Sequence, residues 1–202
     1  KRQGVIKADA HAELKAFAEA NNIPVVTTLM ALGSFPDSHP LHMGMPGMHG
    51  SVPAVAALQR SDLLITIGAR FDDRVTGHVE SFAPNAKVIH ADIDPAEIGK
   101  IREVEVPIVG DAREVLAALH SAMDALELPK PRTENWLKYL GRLVEEFPRG
   151  YEEQPSGKLA PQFVIETLSK VAGPDAIYAA GVGQHQMWAA QFVDYENPRS
   201  WL

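Results

Sequence analysis

The sequence predicts an α/β fold: a doubly wound, mostly parallel sheet followed by the start of a second α/β unit. Three observations carry that expectation. Residues 63–67 (LLITI) and 87–91 (KVIHA) are short runs without the polar alternation of a half-exposed strand, which suits strands covered on both faces. Helical stretches alternate with these runs, as parallel sheets require. The runs end on Gly68 and Asp92, and residues 106–109 end on Gly110-Asp111, at the strand ends where open α/β sheets hold ligands.

Each element has its own signal. Ala10, Leu14 and Phe17 recur at helical spacing over 8–20, and Asn21-Asn22 breaks the pattern. Residues 24–29 (PVVTTL) read as a short strand. The stretch 30–50 is dense in Gly, Pro, Met and His and reads as a long functional loop. Ser51 caps a helix over 51–60, with Pro53 tolerated in its first turn. After the strands at 63–67, 87–91 and 106–109, a helix spans 112–127, with Val115, Leu116, Leu119, Ala122, Met123 and Leu126 on one face. Residues 128–132 (LPKPR) form a linker, and 133–147 a second amphipathic helix. Residues 149–158 are polar and turn-rich. A helix opens at Pro161, a strand follows at 176–180, and Gly181-Val182-Gly183 leads into a helical run over 184–193.

The organisation expected is one domain over 1–128, a linker with one helix over 129–158, and the beginning of another domain over 159–202. A strand, a glycine turn and a helix cannot bury themselves, so the last unit is expected to be truncated. The chain opens on Lys1 without an apolar leader, as expected of a processed chain or a piece of a longer one.

Composition narrows the function. With 46% hydrophobic and 22% charged residues, the chain is globular rather than disordered. It has 19 Lys and Arg against 26 Asp and Glu, a net charge of −7, which argues against nucleic acid as a partner. No apolar run reaches membrane-spanning length. The absence of cysteine excludes disulfides, thiolate metal sites and cysteine nucleophiles.

Four segments carry chemistry. In residues 39–50 (HPLHMGMPGMHG) the glycines admit a close ligand and the methionines an adaptable wall. That loop reads as plain packing, as a metal site through His39, His42 and His49, or as a support for a flat cofactor ring. In residues 68–74 (GARFDDR), Arg70 or Arg74 suits a phosphate or carboxylate, and Asp72 or Asp73 an arginine or a ribose; solvated ion pairs are the plain reading. In residues 90–95 (HADIDP), Asp92 and Asp94 suit a ribose hydroxyl, a hard cation or a helix cap, and Asp111 repeats the cap. In residues 181–188 (GVGQHQMW), two glycines before a helix suit a phosphate. No GxGxxG fingerprint, Walker lysine loop or GxSxG elbow is present.

Taken in order, TTLMALGSFPDSHPLHMGMPGMHG, LLITIGARFDDRVTG, KVIHADIDPAEIGK, VPIVGD and AGVGQHQMWAAQ resemble the catalytic subunits of the acetohydroxyacid synthase (acetolactate synthase) family over nearly the whole chain. The resemblance implies a Rossmann-like, FAD-binding central domain and the first part of a thiamine diphosphate-binding domain. FAD contacts are implied at Thr28, Leu29, Met48, His49, Gly68, Arg70, Asp72, Arg74, Val75, Asp92, Ile93 and Asp111. Gln186 and Met187 are implied on the flavin side, and Gln184 and His185 at the thiamine diphosphate. Arg74 also matches an arginine that recognises the second 2-keto acid. No complete catalytic set is implied within the chain: the activating glutamate and the Mg²⁺ motif belong to other parts of such enzymes, so the piece alone is expected to be inactive. Lys1-Arg2-Gln3 stand where the family usually shows glycines before Val5.

The implied reaction is the decarboxylation of pyruvate on thiamine diphosphate and condensation of the two-carbon unit with pyruvate or 2-ketobutyrate, giving acetolactate or acetohydroxybutyrate for branched-chain amino-acid synthesis. FAD is required without net redox chemistry. Also implied are a homodimer or tetramer, a small regulatory subunit and a bacterial cytoplasmic location. Two readings compete: a redox flavoenzyme related to pyruvate oxidase, against which DDRVTG and QHQMW weigh, and a non-catalytic nucleotide-binding module.

Overall fold

The structure is a computed structural model that describes residues 4–126, 129–152 and 154–202. The Lys1-Arg2-Gln3 departure and the linker's Leu128 lie outside the described residues. Three strands, β1 (Leu63–Ile67), β2 (Lys87–Asp92) and β3 (Val106–Val109), form one parallel sheet in the order β1-β2-β3. Leu63 pairs with Lys87 and Ile89 with Val106. The helices are α1 (Gly4–Lys7), α2 (His11–Asn21), α3 (Val52–Gln59), α4 (Asp73–Thr76), α5 (Ala112–Ala125), α6 (Glu134–Glu146), α7 (Pro161–Ala172) and α8 (Gln184–Phe192).

The pleat of β1 sorts its side chains onto two apolar layers. Ile65 and Ile67 face Val5, Phe17 and Leu116 of α1, α2 and α5. Leu64 faces the other way, into a cluster with Phe71, Phe82 and Val88. Both faces are therefore covered, and this is the doubly wound arrangement expected from the runs' lack of polar alternation. The α6 helix docks on α3 through Leu140, fully buried against Ala54, Ala57 and Met43. A last cluster gathers Leu32, Tyr195 and Trp201 with Ala190 of α8, and Leu29 and Met45 pack on its rim.

Local chemistry starts these helices. Ser51 Oγ accepts from the Ala54 N–H at 3.3 Å, with Pro53 in the first turn of α3. Asp72 and Asp111 cap α4 and α5 in the same way. Asn22, in the left-handed region at φ 51°, ends α2.

Two expected strands are not ladder strands. Of residues 24–29, Val25 alone forms a bridge, to His42, with hydrogen bonds to Leu41 O and from the Met43 N–H at 2.8 and 2.9 Å. Its partner segment carries Pro40 and Pro46, which lack an N–H, and Gly44 at φ +98° leaves the strand conformation, so only one further bond forms, from the Thr27 N–H to Gly44 O at 3.2 Å. Toward β1, a cavity of about 330 Å³ lined by Phe17, Val25, Thr27, Ile65 and Ile67 separates the two backbones. Residues 176–180 likewise make a single bridge, Tyr178 to Trp201. The helix expected from residue 8 starts at His11, and a separate helical turn, α1, precedes it. Among the described residues, no helix is long and apolar enough to cross a membrane.

Candidate functional site

The loops that leave β1, β2 and β3 sit side by side because the strands are parallel and in register. Gly68 N–H donates to Ala91 O at 2.8 Å, and Gly110 N–H to Asp92 O at 3.2 Å, so the first residue after each outer strand is tied to the end of β2. Gly68 adopts φ +57°, and its backbone crosses that of Gly4 so tightly that a Cβ on Gly68 would lie 2.4 Å from Gly4 Cα. No other residue fits this crossing.

Arg70 and Asp72 form an ion pair just beyond β1, with the arginine side chain 61% exposed. Asp72 Oδ1 also accepts the Arg74 N–H at 3.1 Å. That backbone hydrogen bond is the main reason its carboxyl lies below the usual carboxylate range. Asp92 ends β2 as a buried carboxylate, with Oδ1 accepting the Asp94 N–H at 2.9 Å, while neighbouring Ile93 is exposed. His90, fully buried, holds Ala69 O at 2.9 Å and meets Phe71 edge-on, which supports the arginine loop from below.

The Met- and His-rich loop closes onto this region. Met48 N–H donates to Arg74 O at 3.1 Å. Gly47, at φ +101°, allows that approach: a Cβ there would lie 2.5 Å from the same carbonyl. Met48 and His49 are thereby exposed beside Arg74 and Val75. Gln191 of α8 donates to His49 O at 2.8 Å, which ties the C-terminal helix to the loop. Thr28 and Leu29 open the 3-10 turn Leu29–Ala31, and Thr28 lines the cavity together with Arg70 and Val75.

The structure thus brings together Thr28, Gly68, Arg70, Asp72, Arg74 and Val75, with Met48 and His49 at their edge and Asp92 and Asp111 at the adjacent strand ends. Gln184 and His185 stand exposed at the start of α8, and Gln186 and Met187 are half-buried behind them. Among the described residues, no side-chain hydrogen bond or ion pair joins these four to the arginine loop.

The three loop histidines do not gather. His39 contacts Glu19 at 3.0 Å, His42 contacts Thr27 and Asp37, and His49 is exposed. No group of three metal-ligating side chains occurs among the described residues.

A second constellation escapes sequence reasoning. Thr27 Oγ1 lies 2.9 Å from His42 Nε2, and Asp37 Oδ1 lies 3.2 Å from His42 Nδ1. Burial pushes Asp37 up to about 7 and His42 down to about 4. Thr27 and His42 are fifteen residues apart, and no periodic spacing announces the contact.

Residues 3–119 match the family model described as thiamine pyrophosphate enzyme, central domain. The chain belongs to the thiamine pyrophosphate enzyme family. Its relatives within that family agree with the motifs. It is 73% identical over 199 residues to the acetolactate synthase large subunit of Corynebacterium glutamicum, covering 98% of this chain and 32% of the relative. It is 59% identical over 200 residues to the acetolactate synthase large subunit of Mycobacterium tuberculosis, with the same coverage. Identity to the chloroplastic acetolactate synthase 1 of Zea mays is 45% over 191 residues, covering 94% of this chain and 30% of the relative. The chain spans about a third of the length of the curated relatives it matches. The parallel sheet with helices on both faces is the α/β architecture expected of a thiamine pyrophosphate enzyme central domain.

Proposed function

We propose that these residues are part of an acetolactate synthase, and that their strand-end loops hold its FAD. The observation that carries the reading is the 73% identity to a protein of that name across 98% of the chain, which takes in every loop of the site. The residues suit the cofactor. Arg70 and Arg74 offer guanidinium groups for a diphosphate. Asp92, at a strand end, offers a carboxylate for a ribose hydroxyl. Gly47 and Gly68 let the loop backbones pack directly against Arg74 O and Gly4, which fixes the strand-end loops that carry these groups. Thr28, Leu29, Met48, His49, Asp72, Val75, Ile93 and Asp111 complete the wall.

Thiamine diphosphate, when bound, supplies the electron sink for loss of carbon dioxide from pyruvate and for condensation with a second 2-keto acid, pyruvate or 2-ketobutyrate. Gln184 and His185 are assigned to its side of the site, and Gln186 and Met187 to the flavin side. Arg74, exposed beside the Met48 loop, orients the carboxylate of the second 2-keto acid by a bidentate contact. Mg²⁺, a homodimer or tetramer, a small regulatory subunit and a bacterial cytoplasmic setting belong to the same reading.

The test is a titration of the full-length enzyme with FAD, read by flavin fluorescence, alongside acetolactate formation from pyruvate. Saturable one-to-one binding that Arg70→Ala weakens, with FAD-dependent acetolactate formation, supports the reading. A folded enzyme that forms acetolactate without FAD, or reduces bound flavin at the catalytic rate, overturns it.

A further inference from the structure

We propose that Asp37, His42 and Thr27 form a buried positioning relay that holds the Thr28–Leu29 turn in place and ties it to Tyr195. The proposal deepens the FAD reading and rests on it for the role of that turn.

The relay is continuous. Thr27 Oγ1 meets His42 Nε2 at 2.9 Å, and Asp37 Oδ1 stands 3.2 Å from His42 Nδ1. Asp37 Oδ2 accepts the Tyr195 N–H at 3.0 Å. Thr27 is 2% exposed, and the side chains of His42 and Asp37 are 5% and 15% exposed. At its other end Thr27 is the chain neighbour of Thr28, whose O accepts the Ala31 N–H at 2.7 Å and closes the turn that carries Leu29. Thr27 N–H is occupied by Gly44 O at 3.2 Å, so the residue is held from backbone and side chain together.

Its proton arrangement follows from burial. The groups facing the pair are Arg149, Asp194, Glu196 and His39, and desolvation outweighs all of them. Burial disfavours the charged form of both Asp37 and His42, so the contact is a close approach of two desolvated groups rather than an ion pair. Asp37 Oδ1 is buried without a hydrogen-bond partner, and its one close polar neighbour is His42 Nδ1 at 3.2 Å. His42 Nε2 and Thr27 Oγ1 share a hydrogen bond at 2.9 Å whose direction the imidazole tautomer sets. Thr27 and His42 satisfy each other across fifteen residues, and Asp37 stands against His42 while its Oδ2 holds the Tyr195 N–H, which makes the arrangement a positioning device rather than generic packing.

Amide hydrogen exchange at residues 27–31 and the FAD dissociation constant, both in the full-length enzyme, test the relay. Thr27→Val keeps the shape and removes the hydroxyl. It is expected to raise exchange at position 27 and at Ala31, whose amides are the hydrogen-bonded ones, about tenfold, and the FAD constant about tenfold, while Thr27→Ser keeps both within about twofold of wild type. Exchange in Thr27→Val at the wild-type rate overturns the relay. Exchange measured without FAD judges the relay by itself. A wild-type enzyme that binds no FAD sinks the flavin reading, and one whose FAD affinity ignores a loosened turn removes Thr28 from that site.

Discussion

Asp37 and Tyr195 grip each other in both directions across 158 residues: the Asp37 N–H donates to Tyr195 O at 3.1 Å, and the Tyr195 N–H donates back to Asp37 Oδ2 at 3.0 Å. Beside them, the Ser38 N–H and hydroxyl both donate to the Glu196 carboxylate, at 2.9 and 2.7 Å. The Met- and His-rich loop and the C-terminal segment are thus one packed unit, and Tyr195, fully buried, anchors it against Trp201.

The buried pair gives stability an uncommon pH dependence. Asp37 is raised from 3.8 to about 7, so its contribution is complete at low pH and is lost as pH rises toward 7. His42 is lowered from 6.5 to about 4, so its contribution is complete above 6.5 and is lost as pH falls toward 4. Between about 4 and 6.5 the two slopes oppose each other. Asp37→Asn removes the first and is expected to make stability rise across that window by roughly 1 kcal/mol per pH unit relative to wild type. His42→Asn is expected to do the reverse. Urea unfolding at pH 4.5, 5.5 and 6.5 checks this, and parallel profiles for all three proteins would refute it.

Gly47→Ala meets both a left-handed backbone and a carbonyl 2.5 Å from the new Cβ. It is expected to cost about 2–3 kcal/mol and to displace Met48 from Arg74. Gly77→Ala, at φ +57° and ψ −125° with open space around it, carries the backbone strain alone and is expected to cost about 1–2 kcal/mol. Equal losses in thermal unfolding would mean that the contact with Arg74 O does not matter.

Arg70→Ala and Asp92→Ala separate ligand binding from stability. Arg70 is largely exposed, so its loss is expected to leave unfolding within about 0.5 kcal/mol of wild type while FAD binding weakens about tenfold. Asp92 is buried and holds the Asp94 N–H, so its loss is expected to weaken binding and also cost about 1–3 kcal/mol. An Arg70→Ala enzyme with unchanged FAD affinity would remove that arginine from the proposed contact.

Leu140 is expected to be the residue on which the docking of α6 depends. Leu140→Ala leaves a cavity against Ala54 and Ala57 and is expected to cost about 2–5 kcal/mol. Phe147, exposed at the end of the same helix, is expected to tolerate Ala within about 1 kcal/mol. Chemical denaturation of the two variants compares them directly.

Some of this was written in local sequence. The runs at 63–67 and 87–91 could be read as parallel strands because a strand covered on both faces lacks polar alternation, while 106–109 pairs as a strand yet leaves Val106 and Val109 exposed. The caps at Ser51, Asp94 and Asp111 were legible because a cap acts within three residues, whereas the capping by Asp72 was not read. The strand-end placement of Arg70, Asp72 and Asp92 followed from parallel topology. Other features needed the folded chain. Residues 24–29 have strand-forming side chains, yet they form no ladder, because a ladder depends on a partner and theirs is a loop broken by Pro40, Gly44 and Pro46. The bond between Gln191 and His49 and the contacts of Thr27, His42 and Asp37 arise between segments far apart or aperiodic in the chain. Hydrophobic period and cap chemistry act over a few residues and are carried by the sequence itself. Hydrogen-bond partners and burial, and with them the titration of Asp37 and His42, exist only once distant segments have been packed together.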